Sequence, residues 1–233
     1  MDINEIKVAG YQPQSFLDYP EKVSCVIFLG GCNFRCHYCH NSQIFSPKSN
    51  SMSFVEVFAD IESKKKFLDG VVISGGEPTL FPRLREIINA IRGLGLLVKL
   101  DTNGTNFEIL KKLVNEKLVD FVAMDIKAPL SRYADITGVP LNDDVAKSIE
   151  FLKTLEKDKY MFRTTLSPYL NGSDFTQIAE EIAGAGVYQI QQFIPNEFSK
   201  SNFVALVPYS KDEAQTFADI VSKTVAEVRL RGF

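Results

Sequence analysis

The chain has 233 residues, of which 45% are apolar and 24% are charged, and its formal net charge is −3. This is the composition of a globular domain with one core. The slight negative charge and the lack of a basic patch argue against nucleic-acid binding, and no apolar stretch approaches the length of a membrane span.

Predicted strands and helices alternate along the chain after a polar lead-in, residues 1–22, with a short β element near residues 6–11. Apolar runs predict six strands, at residues 23–29, 71–74, 96–100, 120–124, 160–166 and 188–194. Helical periodicity and end signals predict helices at about residues 53–66, 82–93, 107–116, 142–156, 174–183 and 210–228. Two of these begin with a Ser-x-x-Glu capping box, at Ser53 and at Ser210.

This alternation predicts an α/β fold with a parallel sheet. Because the composition does not change along the chain, we expect a single domain over residues 1–233, with a core at 23–194 and a C-terminal loop and helix at 195–233. A doubly wound open sheet and a barrel both fit the pattern.

Three of the four cysteines follow the first strand and a Gly30-Gly31 break, at the spacing C-x3-C-x2-C: Cys32, Cys36 and Cys39. Three thiolates on so short a loop can surround one iron–sulfur cluster, and they would leave one iron of a four-iron cluster open. A partial disulfide framework and a structural zinc site completed by His37 or His40 are the alternatives. The sequence has no recognisable export signal, which predicts a cytoplasmic location.

Polar residues collect where the other predicted strands end, which is the edge where parallel barrels build their active sites. They are Ser74-Gly75-Gly76-Glu77-Pro78, Asp101-Thr102-Asn103-Gly104, Asp125 with Lys127, Arg163 within the fifth strand, and Gln191 with Gln192 in the sixth. These residues have structural alternatives: an ordinary turn for the glycines and for Asn103-Gly104, an ion pair for Asp125 and Lys127, and a structural arginine with satisfied hydrogen bonds for Arg163.

The cysteine loop, residues 31–41, with Tyr38 just before the last cysteine, resembles the radical S-adenosylmethionine (SAM) enzymes. It is most similar to the activating enzymes of glycyl-radical proteins, and the lead-in Ser15–Pro20 is similar to the anaerobic ribonucleoside-triphosphate reductase activating proteins. The resemblance implies a partial (β/α)6 barrel and one [4Fe–4S] cluster on Cys32, Cys36 and Cys39. It also implies reductive cleavage of SAM to methionine and a 5′-deoxyadenosyl radical, which removes a hydrogen atom from a glycine of a partner enzyme.

The resemblance also implies roles for single residues. Gly75, Gly76 and Glu77 match the GGE motif that receives the SAM ammonium, and Tyr38 matches an aromatic residue near adenine. Asp101, Thr102 and Asp125 match positions that hold a monovalent cation beside the SAM carboxylate in formate-lyase activating relatives. The remaining residues that we assign to the SAM site are Asn103, Lys127 and Arg163.

One feature departs from the pattern: no histidine comes from the sixth strand, so we expect another adenine contact, with main chain around 193–196 as the candidate. The implied partners are a glycyl-radical enzyme and a flavodoxin or ferredoxin as reductant. The alternative functions are activation of another glycyl-radical enzyme, radical chemistry on a small molecule, and a non-enzymatic role as a structural zinc protein.

Overall fold

The computed structural model describes residues 3–39, 42–140, 143–195 and 207–233. They form an α/β fold with a mostly parallel sheet, as predicted. The chain divides into two compact units, which we call the first and the second unit. The first contains the described residues of Met1–Asn33, Gln43–Thr102 and Glu108–Val122, and the second those of Phe34–Ser42, Asn103–Phe107 and Ala123–Phe233.

The first unit holds the N-terminal strands. They are β1 (Lys7–Val8), β2 (Gly10–Ser15), β3 (Ser24–Leu29), β4 (Met52–Ser53), β5 (Gly70–Gly75) and β6 (Leu97–Thr102). Its helices are α1 (Phe54–Lys64), α2 (Leu84–Gly93) and α3 (Phe107–Asn115), whose first residue belongs to the second unit. β3 pairs in parallel with β5, and β5 with β6, whereas β2 pairs antiparallel with β3. β3 and β5 have apolar centres because both of their faces are buried, whereas the equally buried β6 contains Lys99, Asp101 and Thr102.

The second unit continues the alternation from β7 (Phe121–Asp125), which begins in the first unit. Its further elements are α4 (Tyr133–Thr137), α5 (Asp144–Lys153), β8 (Tyr160–Leu166), α6 (Gly172–Glu181), β9 (Val187–Gln192), α7 (Lys211–Val221) and β10 (Glu227–Arg231). β8, β9 and β10 are parallel neighbours, and Ile190 of β9 is paired with Leu230 of β10. The rings of Phe175 and Phe217 stack with centroids 4.7 Å apart and so join α6 to α7.

The predicted last helix is wrong at its C-terminal end. Helix α7 ends at Val221 instead of continuing to Val228, and the strand β10 follows it. Residues 227–231 alternate polar and apolar side chains, the period-two pattern of a strand, which the helical interpretation overlooked. The C-terminal region therefore adds a strand to the sheet as well as a helix.

Local signals at helix starts gave mixed results. Ser210 forms the predicted capping box with Glu213, whereas Ser53 is the N-cap of α1 but, in the described part of the chain, makes no side-chain cap bond. Asn171 and Asp174 form a capping box at α6 that was not predicted, and the short helix α4 was predicted as loop. Asp101 and Thr102 lie in β6, not in the turn after it. Asn142, the predicted start of α5, lies outside the described residues.

Among the described residues, no helix is both long and apolar enough to span a membrane.

Candidate active site

The start of the cysteine loop is fixed to the following chain by backbone hydrogen bonds in the first unit. The amide of Gly31 donates to the carbonyl of Ile44 at 2.8 Å, and the amide of Cys32 donates to that of Phe45 at 3.1 Å. The amide of Gly30 donates to Oδ1 of Asn50 at 2.7 Å. Cys32 is therefore held on an ordered backbone directly after β3.

Gly75 and Gly76 are glycines because neighbouring backbone leaves no room for a side chain. Gly75 has φ of +127°, and a Cβ there would lie 2.2 Å from the carbonyl oxygen of Leu29. A Cβ on Gly76 would lie 2.1 Å from the carbonyl oxygen of Gly31. The amides of Gly76 and Glu77 donate to the same two carbonyls, each at 2.8 Å. The two glycines thus allow the backbone after β5 to pack closely against the start of the cysteine loop.

The carboxylate of Glu77 is 1% exposed and anchors this loop. Its Oε1 accepts from the amide of Thr79 at 3.0 Å and from the Thr79 hydroxyl at 2.6 Å. It also accepts from the hydroxyl of Thr102 at 2.8 Å, which joins the loop after β5 to the end of β6. Of the residues predicted to bind SAM or a cation, Glu77 and Thr102 are therefore in direct contact.

Lys99 is a candidate site residue that the sequence did not reveal. It is 1% exposed, and its ammonium pairs with Oδ1 of Asp101, while the hydroxyl of Ser74 donates to Oδ2 of Asp101 at 3.0 Å. The available signal was a single lysine inside the apolar run Leu96–Leu100. A lysine in the interior of a buried strand requires an anionic partner.

Asn103 shapes the turn after β6. Its Oδ1 accepts from the amide of Thr105 at 3.0 Å and from the Thr105 hydroxyl at 2.6 Å. Gly104 follows with φ of +76°, and its carbonyl accepts from the hydroxyl of Ser148 at 2.8 Å. These contacts match the turn alternative for Asn103-Gly104; they do not test the predicted role of Asn103 at SAM.

In the second unit, the rest of the cysteine loop rests on α4. The amide of Arg35 donates to the carbonyl of Thr137 at 2.7 Å, and the ring of Phe34 packs edge-on against Tyr133 at 6.0 Å. The amide of Cys39 donates to the carbonyl of Cys36 at 3.1 Å, which closes a turn between these two cysteines. The helix that the sequence analysis missed is therefore a support of the cysteine loop.

Tyr38 is the most informative residue of this loop. It is 3% exposed, and its buried hydroxyl has no hydrogen-bond partner in the described residues. Burial raises the pKa of the phenol well above its usual value, and the neighbouring Cys36 and Asp125 add to this, although Lys127 opposes it. A buried hydroxyl that is left unpaired is costly, so such an atom marks a place where a ligand can bind.

Asp125, Lys127 and Arg163 form a charged cluster, which contains the ion pair between Asp125 and Lys127 that the sequence analysis gave as the structural alternative. Lys127 Nζ lies 2.8 Å from Oδ2 of Asp125, and Nε of Arg163 donates to Oδ1. Burial by itself would raise the pKa of Asp125, but the two cations outweigh it and hold the pKa well below its usual range. Burial would likewise lower the pKa of Lys127, yet Asp125, Tyr38 and Cys36 raise it well above the usual value.

The residues at the end of β9 are only partly described. The Nε2 group of Gln192 donates to the carbonyl of Tyr209 at 2.8 Å, and its buried Oε1 has no partner among the residues described. Asn196, in the segment predicted near adenine, and His40, a predicted alternative zinc ligand, lie outside the described residues.

The donor set fits an iron–sulfur cluster by its chemistry. Cys32, Cys36 and Cys39 are half-buried, and none of the chain's four cysteines, all within the described ranges, is disulfide-bonded. Thiolates are the usual ligands of such clusters. The fit is one of residue type alone, because within the ranges that the structure describes no three His, Cys, Asp or Glu side chains are grouped as a metal site requires.

Comparison with known proteins identifies the family. The family model of the radical SAM superfamily matches residues 26–182. A Methanocaldococcus jannaschii protein named as a glycyl-radical enzyme activating enzyme is 35% identical over 96% of this chain and 95% of its own length. The pyruvate formate-lyase-activating enzyme of Clostridium pasteurianum is 30% identical over 55% of this chain and 57% of its own length.

A solved domain of the pyruvate-formate lyase-activating enzyme of Bacteroides vulgatus matches with a TM-score of 0.54 at 19% identity, covering 70% of this chain and 99% of that domain. This likeness agrees with the predicted partial-barrel fold class. The chain belongs to the radical SAM superfamily and is an enzyme. Membership implies a [4Fe–4S] cluster and SAM, and it sets aside the non-enzymatic zinc protein.

Proposed function

We propose that this enzyme generates a glycyl radical on a partner protein and that this partner is anaerobic ribonucleoside-triphosphate reductase. The observation that carries the proposal is the similarity to a protein named for glycyl-radical enzyme activation, which extends over nearly the full length of both chains. The resemblance of Ser15–Pro20 supports the reductase as the partner. In the structure the Ser15 hydroxyl donates to Asp18 at 2.7 Å, which orders this segment.

The proposed ligands of the cluster are Cys32, Cys36 and Cys39. The cluster and SAM, when bound, supply one-electron cleavage of SAM to methionine and a 5′-deoxyadenosyl radical. The side chains that we assign to SAM fall into two groups. Gly75, Gly76, Glu77, Asp101 and Thr102 belong to the first unit, and Tyr38, Asn103, Asp125, Lys127 and Arg163 belong to the second.

The described contacts suggest what these residues do. The Gly76 backbone and the Glu77 carboxylate order the chain beside Cys32. The unpaired Tyr38 hydroxyl offers a donor to a ligand, and Lys127 and Arg163 bring positive charge suited to a carboxylate. A monovalent cation at Asp101, Thr102 and Asp125 stays a prediction from the resemblance, and Lys99 competes with it for Asp101. A flavodoxin or a ferredoxin stays the predicted reductant.

The first experiment is SAM cleavage by the protein reconstituted anaerobically with iron and sulfide and then reduced. We expect 5′-deoxyadenosine from the wild type and none from Cys36→Ala. Cys25→Ala is the matched control, since Cys25 is buried within β3 and 0% exposed. Equal product from the wild type and Cys36→Ala would refute the assigned cluster site, and no product from a protein with a full iron and sulfide content would refute the radical chemistry.

A second experiment decides the partner. The reduced enzyme with SAM is mixed with the reductase, and the glycyl radical is detected by electron paramagnetic resonance. A reductase whose radical glycine is replaced by alanine serves as the control. The relation to the Clostridium pasteurianum enzyme favours formate lyase as the alternative partner. A radical on formate lyase and none on the reductase would assign the chain to that partner instead.

A further inference from the structure

Lys99 carries a positive charge into the interior of the first unit. It is 1% exposed, and its ammonium pairs with Asp101, two residues further along β6. Because alternate residues of a strand share a face, the two side chains lie on the same face of β6. A buried ammonium requires an opposite charge and hydrogen bonds in place of its lost water. Lys99 and Asp101 therefore form a buried ion pair at the C-terminal end of β6.

The surroundings of Lys99 are apolar toward the start of the strand. Val72 is paired with Lys99 in the register of β5 and β6, and Leu97 precedes it on the same face. Val72 and Leu97 both belong to an apolar cluster with Tyr19 and Val26. The polar atoms are at the other end, where Asp101 takes the Lys99 ammonium on Oδ1 and the Ser74 hydroxyl on Oδ2.

We propose that Lys99 is a positioning residue that gives Asp101 the positive charge which, by the resemblance, a monovalent cation would provide. Both oxygens of Asp101 already accept from protein donors, and a second cation at this carboxylate would meet the fixed charge of Lys99. The inference rests on the proposed function, in which Asp101 lies beside the SAM carboxylate. It predicts an enzyme that needs no added potassium or sodium.

The dependence of the unfolding temperature on the cation in the buffer tests the proposed role of Lys99 without requiring SAM cleavage. The unfolding temperature of the cluster-loaded protein is measured in choline, sodium and potassium chloride at one ionic strength. We expect the same value in all three salts for the wild type. Lys99→Met leaves Asp101 without its fixed cation and becomes more stable in sodium or potassium than in choline. The double variant Lys99→Met/Asp101→Asn removes both charges and shows no such response.

Turnover gives a second readout. In choline, the KM for SAM of Lys99→Met rises about tenfold, the loss expected for one charge-assisted hydrogen bond, and potassium or sodium restores it. The absorption of the cluster stays unchanged, which separates this role from loss of the cluster. A wild type whose stability or SAM cleavage requires potassium or sodium overturns the proposal, and so does a folded Lys99→Met that no cation rescues.

The two proposals fail in different ways. If the wild type makes no 5′-deoxyadenosine in any salt, the proposed function fails, and the unfolding temperatures still decide the role of Lys99. If Lys99→Met does not fold, Lys99→Gln takes its place in both experiments. If neither variant folds, the comparison of the three salts on the wild type decides.

Discussion

At the scale of single residues, the hydroxyl of Tyr38 is a buried donor without a partner in the described chain. Leaving such a group unpaired costs about 1–3 kcal/mol. We therefore expect Tyr38→Phe to leave the free energy of unfolding of the cluster-free protein unchanged or to raise it, as measured by urea denaturation. If the hydroxyl serves SAM, the same variant raises the KM for SAM in the reconstituted enzyme.

Tyr133→Phe is the matched control, since Tyr133 is 0% exposed and its hydroxyl accepts from the amide of Lys127 at 3.1 Å. We expect removal of the Tyr133 hydroxyl to lower the free energy of unfolding by about 1 kcal/mol, the usual net value of a hydrogen bond. If Tyr38→Phe is destabilised as much as Tyr133→Phe, the Tyr38 hydroxyl is paired in the folded protein and does not mark a ligand site.

Asp125 links stability to pH. Because Arg163 and Lys127 outweigh burial and lower its pKa in the folded protein, Asp125 contributes stability that is fully present above its unfolded pKa of about 4. This contribution is lost as the pH falls from there toward the lower folded pKa. Asp125→Asn removes it, so the difference in free energy of unfolding between wild type and variant stays constant from pH 7 to about pH 5 and shrinks below about pH 4.

Urea denaturation of both proteins across this pH range measures the effect. Asp135→Asn is a suitable control, since the Asp135 side chain is 68% exposed and its link to Arg132 is 3.6 Å long. A difference for Asp125→Asn that is unchanged down to pH 3 would show that the two cations do not stabilise the carboxylate.

At the scale of elements, the starts of α7 and α1 offer a matched pair of caps. The Ser210 side chain accepts from the amide of Glu213 in a complete capping box, whereas the Ser53 side chain makes no cap bond in the described chain. We expect Ser210→Ala to lower the free energy of unfolding by about 1 kcal/mol and Ser53→Ala to change it little. Equal losses in urea denaturation would contradict this assignment, which the sequence alone cannot make because both helices begin with Ser-x-x-Glu.

At the scale of the whole molecule, β10 covers the edge of β9. The two strands are paired from Glu227 with Val187 to Arg231 with Gln191. Deleting residues 227–233 removes this pairing and exposes the backbone of β9, so we expect a lower unfolding midpoint and self-association, seen by size-exclusion chromatography. The control is Arg229→Ala, which breaks the partly exposed ion pair with Glu227 but leaves the backbone of β10 in place, and should cost little.

A monomeric deletion variant with an unchanged midpoint would show that β10 contributes nothing to the sheet.

The sequence by itself determined the features that depend on neighbouring residues. The strand Tyr160–Leu166 was predicted with its observed bounds, the cap at Ser210 was predicted correctly, and the cysteine spacing with Tyr38 led to the superfamily. Hydrophobic period, capping and motif spacing are local, so they can be recognised without a fold. The end of α7 was the main local error, because a helical start signal was extended over a strand pattern.

Only the tertiary structure decided which distant groups meet. It brings the Ser74 hydroxyl to Asp101, joins Glu77 to Thr102, and packs Gly76 against the backbone of Gly31. Lys99 belongs to no sequence motif. Its role became apparent from its burial, because a buried ammonium requires an anionic partner. These contacts form only when separate strands pack side by side, and the spacing of residues along the chain does not say which strands are neighbours.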